Sequence, residues 1–507
     1  MIPAQMQVPQ LYVTIAGLPE PDVPLRGLRA VRVAQRLGVP AQCELQFADP
    51  PGPLAPLADV QPGMSLTVGI VGHLDLLFVG EITAVEYVYG PANERELLIR
   101  GYDALHRLRR QQQPRAFAPD ATLADVLQQV ARQHRLASQM PRSGLRWPRL
   151  FQHQQSDLEL LVALAAEASL YLTLRGSTLH LVDLATGLGD EIPLALGESL
   201  LEARCELNET AARRTVRTAG WDVRRAAAHT EEAHARDGGD AAWQGDAVWH
   251  LLNEGTADRA QARALAEADQ THRQQSRRTL WGIAVGDPAL RPGAPVAISG
   301  VASPVAGRSV LTEVTHLIDN QVGYISEMGS RPPAPPRRPH GVTATLGIVT
   351  GAQDPDKNGC VRVRLPAYGD IESDWLPVLA AGAGGDKGLI MTPAQDDTVL
   401  VLLLYEDPGQ GVVLGGLFGT RRVPDDGVNL TGQVQRYTWT TPKGQRIQLD
   451  DADNAVRLEN GVGLVGAGSF LDVRGNRIRI ETDAGGYLEI DGQRIEIGGS
   501  RIDFKQV

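Results

Sequence analysis

The C-terminal part of the chain is built from short repeats in which aliphatic and charged residues alternate. The four imperfect copies are GQRIQLD (444–450), GNRIRIE (475–481), GQRIEIG (492–498) and SRIDF (500–504), with glycine-containing turns between them. A period of two places aliphatic side chains on one face of a strand and charged side chains on the other. A single copy of such a chain has little else to cover its aliphatic face, so the repeats predict association with further copies.

Burial of this aliphatic face favours an assembly of three chains. Each isoleucine removed from water stabilises the folded state by roughly 1.5–3 kcal/mol. Three copies wound about a common axis bring the aliphatic faces together and leave arginine and glutamate in water. We therefore predict an intertwined trimeric β-prism, or β-helix, that forms a needle over residues 426–507. Its predicted core residues are Ile447, Leu449, Ile478, Ile480, Ile495, Ile497 and Ile502.

Composition and charge disfavour several classes of protein. The net charge of −11 disfavours nucleic acid and anionic lipid as partners, because binding to either needs a cationic surface. Three scattered cysteines without a pairing pattern predict folding in a reducing cytosol. No signal peptide is expected, since the first residues lack a basic segment followed by an apolar one. The longest apolar run, 399–404, is far shorter than the roughly 20 residues of a membrane-spanning helix.

Residues 1–330 are predicted to hold two β-barrels with helical insertions. The predicted strands lie in 45–53, 66–89, 95–110 and 279–328. Thr122 and Ser156 each precede an apolar stripe with helical spacing, so both are predicted as helix N-caps. The polar stretch 210–278 stays unassigned except for a helix at 256–270.

Residues 331–340 mark the clearest domain boundary in the sequence. This segment, RPPAPPRRPH, is almost purely proline and arginine, which predicts a stiff connector. Several short strands follow within 341–425, as expected of an OB-fold barrel. The first two are predicted to join through a hairpin turn that contains Asp354, Asp356, Asn358 and Gly359. The fold class is therefore mainly β.

Four motifs look like chemical sites but lack an essential element. Residues 354–359 open like an EF-hand calcium loop, yet the twelfth position is Leu365 instead of glutamate. Residues 461–466 match GxGxxG without the following helix that a dinucleotide site needs. HTEEAH (229–234) spaces its histidines five apart, on different faces of a helix. GAGGDKG (382–388) lacks the Lys-Ser/Thr ending of a phosphate loop. We predict no catalytic, cofactor-binding or metal-binding residue, and no enzymatic activity.

Several longer motifs resemble parts of contractile injection machines. DPDKNGCVRVRLP (354–366), SDWLPV (373–378), GLIMTPAQDDTVLV (388–401) and EDPGQGVVLGGLFG (406–419) are similar to the spike domain of VgrG and phage baseplate assembly proteins. YDALHRLRR (102–110), the helix start at 155–158 and LRPGAPVAISG (290–300) resemble the late-control protein D family, which forms tail hubs. One departure is Cys360, where the spike family usually has a basic residue.

The resemblance implies a homotrimeric spike and hub whose action is mechanical. Two related barrels in each of three chains would match a sixfold tube to a threefold needle that punctures the target envelope. The implied partners are the tube protein, baseplate and sheath components, and cargo effectors. The target membrane would be contacted only on firing. Since no histidine follows His340, the needle lacks the tip metal ligands of some relatives, and a PAAR-type tip protein is expected instead. Its predicted docking region comprises Gly498, Gly499, Arg501 and Phe504.

Location and system type follow from the same resemblance. The chain is expected in the cytoplasm during assembly and then in an injection particle, with a released extracellular type favoured over a type VI spike. A tail-associated carbohydrate-binding or cell-wall-degrading protein stays open as the alternative. Genes for sheath, tube and baseplate proteins beside this one would decide between the system types.

Overall fold

A computed structural model describes residues 8–18, 23, 25–48, 57, 59–91, 94–110, 112–140, 145–210, 213–235, 248–252, 254–463 and 466–503. The chain divides into two compact units, Met1–Gly416 and Leu417–Val507. Strands greatly outnumber helices in both the hub region and the C-terminal region, which confirms the mainly β fold class.

The first hub segment is a run of antiparallel strands. They are β1 (Leu11–Ala16), β2 (Leu28–Arg36), β3 (Val39–Ala48), β4 (Ser65–Ile70), β5 (Phe78–Tyr89) and β6 (Arg95–Tyr102), followed by helix α1 (Leu105–Arg110). The prediction of a strand through residue 110 was wrong beyond Tyr102. Asp103 accepts a hydrogen bond from the Leu105 backbone N–H at 3.0 Å and starts a helical turn, which buries Leu105 and Leu108.

A helical insertion follows. Its elements are β7 (Arg115–Ala116), β8 (Ala121–Thr122), α2 (Leu123–Gln133), β9 (Ala137–Gln139), β10 (Arg146–Trp147), β11 (Phe151–Gln152), α3 (Asp157–Glu167), β12 (Tyr171–Arg175) and β13 (Thr178–Val182). Both predicted N-caps are confirmed. Thr122 Oγ1 accepts from the Asp125 N–H at 3.2 Å, and Ser156 Oγ accepts from the Glu159 N–H at 3.3 Å. Each acidic partner bonds back to the cap N–H, so two orphan donors are satisfied at each helix start.

The second hub segment returns to strands. They are β14 (Ile192–Ala195), β15 (Leu200–Leu207), β16 (Thr215–Asp222), β17 (Ala227–His234), β18 (Val248–Leu252), α4 (Arg259–Gln275), β19 (Arg278–Val285), β20 (Pro295–Ser299), β21 (Gly307–Val310), β22 (Glu313–Asp319) and β23 (Gly323–Gly329). Helix α4 confirms the helix predicted at 256–270. HTEEAH lies in strand β17 and not in a helix, and the buried His229 bonds to Thr256 Oγ1 at 2.9 Å.

One ten-stranded sheet joins the two ends of the hub. Its order is β1-β4-β5-β6-β3-β2-β22-β23-β19-β15, so β2 pairs with β22 across almost the whole hub sequence. One apolar core is formed mainly by residues of β1 to β6. A second core contains residues of β14, β19 and β20. Two β cores that share a sheet are therefore the framework on which the helical insertion sits.

The OB region forms a five-stranded sheet in the order β26-β25-β24-β27-β28. Its elements are β24 (Val342–Gly351), β25 (Arg362–Leu365), a 3-10 turn (Pro366–Tyr368), β26 (Ile371–Glu372), β27 (Thr398–Leu404) and β28 (Gly411–Leu417). Residues 375–378 do not form one of the strands of this sheet. Leu376 and Val378 make only single bridges, to Val361 and Val413, and Pro377 between them has no N–H for a ladder.

The C-terminal unit is an antiparallel meander. Its strands are β29 (Arg436–Thr440), β30 (Gln445–Asp450), β31 (Ala455–Asn460), β32 (Val462–Gly463), β33 (Gly466–Ala467), β34 (Phe470–Arg474), β35 (Arg477–Glu481), β36 (Tyr487–Asp491) and β37 (Arg494–Gly498). Three of the four sequence repeats form strands, β30, β35 and β37. The fourth, at 500–504, is not a strand over its described residues 500–503.

Candidate assembly interface

Seven strands of the C-terminal unit form one sheet with a continuous apolar face. The order is β29-β30-β31-β34-β35-β36-β37, with every neighbouring pair antiparallel and in register. Aliphatic residues therefore stand opposite aliphatic residues across the sheet. One row contains Trp439, Ile447, Leu458, Leu471, Ile480, Leu488 and Ile497, and the other contains Tyr437, Leu449, Val456, Val473, Ile478, Ile490 and Ile495. We call these fourteen residues the apolar face.

The chain itself does not cover this apolar face. The predicted core residues Ile447, Leu449, Ile478, Ile480, Ile495 and Ile497 all lie on it, and in the single chain they are between 40% and 67% exposed. Ile502, the seventh predicted core residue, is also exposed but lies beyond the last strand. Monomeric proteins rarely leave a contiguous apolar surface of this kind in water. The face is therefore incomplete without a partner.

Eight residues of the apolar face were missed in the sequence: Tyr437, Trp439, Val456, Leu458, Leu471, Val473, Leu488 and Ile490. The two aromatic residues lie in β29, and the six aliphatic residues lie in β31, β34 and β36, which alternate apolar and charged residues just as the recognised repeats do. The signal was present in AVRLE, FLDVR and YLEID. These segments lack the Gly-x-Arg-Ile opening by which the other repeats were found, so period-two alternation alone would have identified them.

The opposite face of the same sheet is polar and satisfies its own charges. Arg479 lies 2.7 Å from both Glu481 and Glu489, and Arg457 lies 3.6 Å from Asp472. The Arg479 hydrogen bond lowers the pKa of the Glu489 carboxyl, which helps to keep it ionised. Asp472 is buried by these neighbours even though its face is charged. These charged side chains of the sheet are thus less exposed than its predicted core side chains. A sheet that is stable as a single chain has the opposite arrangement.

The predicted tip region adjoins the last strand. Within the part of the sheet that the structure describes, β37 pairs with β36 on one side and has no strand on the other. Gly499 and Arg501 are exposed beyond it, and Arg501 pairs with Asp503 at 3.0 Å. Phe504 lies outside the described residues. The edge carries unpaired backbone donors and acceptors, which are what an added strand would bind.

The predicted hairpin residues of the OB region form a folded loop around one carboxylate. Asp354 accepts hydrogen bonds from the N–H groups of Asp356, Asn358 and Cys360 at 3.1, 2.7 and 3.3 Å. Burial alone would raise the pKa of Asp354, but these donors lower it overall. Gly359 adopts a φ of 74°, in the left-handed region that glycine accommodates. Asn358-Gly359 therefore sits in a longer connection between β24 and β25, not in a two-residue turn.

A buried polar cluster in the helical insertion was also missed in the sequence. The Asp157 carboxylate lies 2.7 Å from Arg115 and 2.8 Å from His134 Nε2, and it accepts a hydrogen bond from Gln152 at 2.9 Å. These groups satisfy one another at the start of α3, which fits a structural role. Among the residues that the structure describes, no group of three or more His, Cys, Asp and Glu could hold a metal ion. Over the same residues, no helix is long and apolar enough to span a membrane.

Family models match both the hub and the OB region. Residues 56–320 match the Alg8 N-terminal domain, which covers just over half of the chain. Residues 345–418 match the type VI secretion system/phage-baseplate injector OB domain. A search of curated proteins found none that matches the chain by sequence.

Solved structures share the fold at low sequence identity. An Escherichia coli component of the type VI secretion system, described as similar to the T4 bacteriophage tail proteins gp27 and gp5, has a TM-score of 0.54 at 14% identity, over 80% of this chain and 99% of that one. The half-lidded Francisella PdpA-VgrG complex has a TM-score of 0.53 at 9% identity, over 97% and 88%. A 43 kDa prophage MuSo2 tail protein from Shewanella oneidensis has a TM-score of 0.51 at 13% identity, over 63% and 97%. The shared fold spans hub, OB region and C-terminal sheet.

Proposed function

This chain belongs to the Alg8 N-terminal domain family and is a VgrG-like spike and hub protein, and from that premise we propose that three copies assemble into the needle-tipped hub of a contractile injection machine. The hub (1–330) would sit on the sixfold tube, and the needle (426–507) would meet the target envelope first. The proline-rich segment 331–340 and the OB region (341–425) would join the two.

The observation that carries this proposal is the uncovered apolar face of the C-terminal sheet. Its two rows are narrow and run through all seven strands, so the face is a long stripe and not a broad surface. Three such stripes can meet around an axis and enclose a dry interior, with the ion-paired faces outside. A thin, intertwined prism of this kind would concentrate the force of sheath contraction on a small area of membrane.

The tip would be completed by a separate protein. We place its docking at the free edge of β37 and at Gly498, Gly499, Arg501 and Phe504, where an added strand would find unpaired backbone groups. Removal of residues 499–507 should weaken co-purification of a PAAR-type tip protein and leave the trimer intact. Unchanged co-purification by the shortened chain would show that Gly499, Arg501 and Phe504 are not part of the docking site.

Sedimentation of the full chain tests the assembly directly. We expect a particle of three times the 54.5 kDa of one chain. Changing both Ile478 and Ile480 to Gln should shift it toward monomer, because polar amides would enter the dry interior.

The matched control changes the two flanking residues on the opposite face. Arg477→Gln combined with Glu481→Gln introduces the same amides on the polar face, and this variant should remain trimeric. A monomeric or dimeric wild-type chain would overturn the proposal, and so would equal behaviour of the two double variants.

A further inference from the structure

The OB region has an apolar outer face in addition to its core. Strand β27 points Val399, Val401 and Leu403 into the core, where they are fully buried. The alternate residues of β27 face outward, and in register they stand beside residues of β24. This outer face consists of Val342, Ala344, Leu346, Leu400, Leu402 and Leu404. Val342 and Leu346 are each more than half exposed. A strand with one face on the barrel core and the other in solvent needs apolar residues on the core face only. The apolar residues on the outer face therefore indicate a contact with another protein surface.

The same region also carries a protruding apolar loop, residues 379–391, which we call the knob. Leu379 N–H donates to the Val413 carbonyl at 2.8 Å, and Leu389 N–H donates to the Ala381 carbonyl at 2.9 Å. Gly384 and Lys387 close the end of the loop through backbone bonds. The knob is thus held in one shape by its own hydrogen bonds and by one to β28.

The apolar side chains of the knob point into solvent. Ile390 is 84% exposed and Met391 is 64% exposed. Two neighbouring large apolar side chains that are exposed on an ordered loop are characteristic of a protein–protein contact. Methionine in particular adapts its shape to an irregular surface.

We propose that the knob of one copy packs on the outer face of the next copy around the trimer. This inference rests on the proposed trimeric assembly and assigns its second set of contacts. A chain that carries both a protruding apolar loop and a distinct apolar receiving surface makes head-to-tail contacts, and in threefold symmetry three such contacts close into a ring.

A second copy is favoured over another protein because of how the chain is connected. The last OB strand ends at Leu417 and the first strand of the C-terminal sheet begins at Arg436. Once three C-terminal sheets have associated, this short connection holds three OB regions near one another at a high effective concentration. Each outer face therefore meets a neighbouring knob before it meets a free partner.

Cross-linking of paired cysteines tests the contact in the full chain. Cys205, the one native cysteine of the three that is not buried, is replaced by serine throughout. Ile390→Cys and Leu346→Cys are then combined in one chain and treated with a short bis-maleimide. We expect covalent dimers and trimers on a denaturing gel, since each subunit offers one knob and one face.

Three control variants separate this arrangement from others. Each single-cysteine variant should stay monomeric on the gel. Ile390→Cys combined with Leu74→Cys, at a fully exposed hub position, should do the same. A dimer from Ile390→Cys alone would show that knobs meet each other, and would overturn the proposal.

Sedimentation before cross-linking distinguishes the two possible failures. If the untreated double-cysteine chain is not a trimer, the proposed assembly itself is wrong. If it is a trimer but gives no more covalent trimer than the Leu74 control, the assembly stands and the knob contact is wrong.

Discussion

His316 shows how a single buried residue contributes to the acid sensitivity of the hub. Its ring is buried on β22, with Nδ1 2.9 Å from Ser326 Oγ and 3.2 Å from Tyr324 Oη. Its pKa is lowered to about 4, chiefly by burial; a backbone interaction with Leu290 opposes this shift, and the nearby Arg291 adds to it. The folded state therefore holds this imidazole neutral where the unfolded chain would protonate it.

The contribution of His316 to the stability of the hub is expected to fall as the pH drops from about 6.5 to about 4. In that window the unfolded chain binds a proton that folded His316 does not, so the free energy of unfolding decreases with decreasing pH. A shift of this size corresponds to about 3 kcal/mol. Urea unfolding at a series of pH values measures the slope.

Matched histidine variants assign that slope to His316. His316→Gln should lose the part of the pH dependence that His316 contributes, whereas His250→Gln, on the exposed surface of β18, should retain the wild-type slope. Each variant is compared with itself across pH, so a lower overall stability of His316→Gln does not affect the result. Identical slopes for wild type and His316→Gln would contradict the assignment.

At the scale of elements, β11 joins the hub to the OB region. Its Phe151 is buried in the OB core among Val363, Leu376 and Val401, although it lies far away in sequence. Arg149, just before it, pairs with Asp374 at 3.3 Å. An element of the helical insertion thus completes the core of the next domain, and the two are coupled through packing as well as through the proline-rich segment.

Phe151→Ala should weaken the packing between β11 and the core of the OB region. Truncation of a buried phenylalanine to alanine typically lowers the free energy of unfolding by roughly 3–5 kcal/mol, because apolar burial is lost and a cavity is left behind. We expect faster tryptic cleavage at Arg337 in the connecting segment, measured by limited proteolysis of the full chain. Phe117→Ala, which truncates an equally buried phenylalanine in the helical core, is the control. Equal cleavage of the two variants at Arg337 would contradict a specific role for Phe151.

Elements governed by local chemistry could be predicted from the sequence, and those governed by distant contacts could not. The caps at Thr122 and Ser156 are local, because donor and acceptor lie three residues apart. The aliphatic alternation of the C-terminal sheet is local for the same reason. Phe151 gave no signal, since its partners Val363, Leu376 and Val401 lie more than two hundred residues away. The false strand beyond Tyr102 arose because apolar spacing in a short stretch fits a strand or a helix, and the cap at Asp103 decides between them.

In the proposed trimer a hydrocarbon interface is combined with an ion-paired exterior, and the two respond differently to salt. Surface ion pairs such as Arg479 with Glu481 contribute little to stability, and salt screens them. Association through the apolar face does not depend on charge, and salts such as sulfate strengthen apolar burial.

The trimer should therefore persist from low salt to about 1 M sodium chloride, a range over which the screening length falls from roughly 30 to 3 Å. Sedimentation of the full chain across this series measures the outcome. Arg479→Gln should leave the trimer intact at every salt concentration, because it removes pairs from the outer face only. Dissociation of the wild-type trimer at high salt would show that charge, and not the apolar face, holds the three chains together.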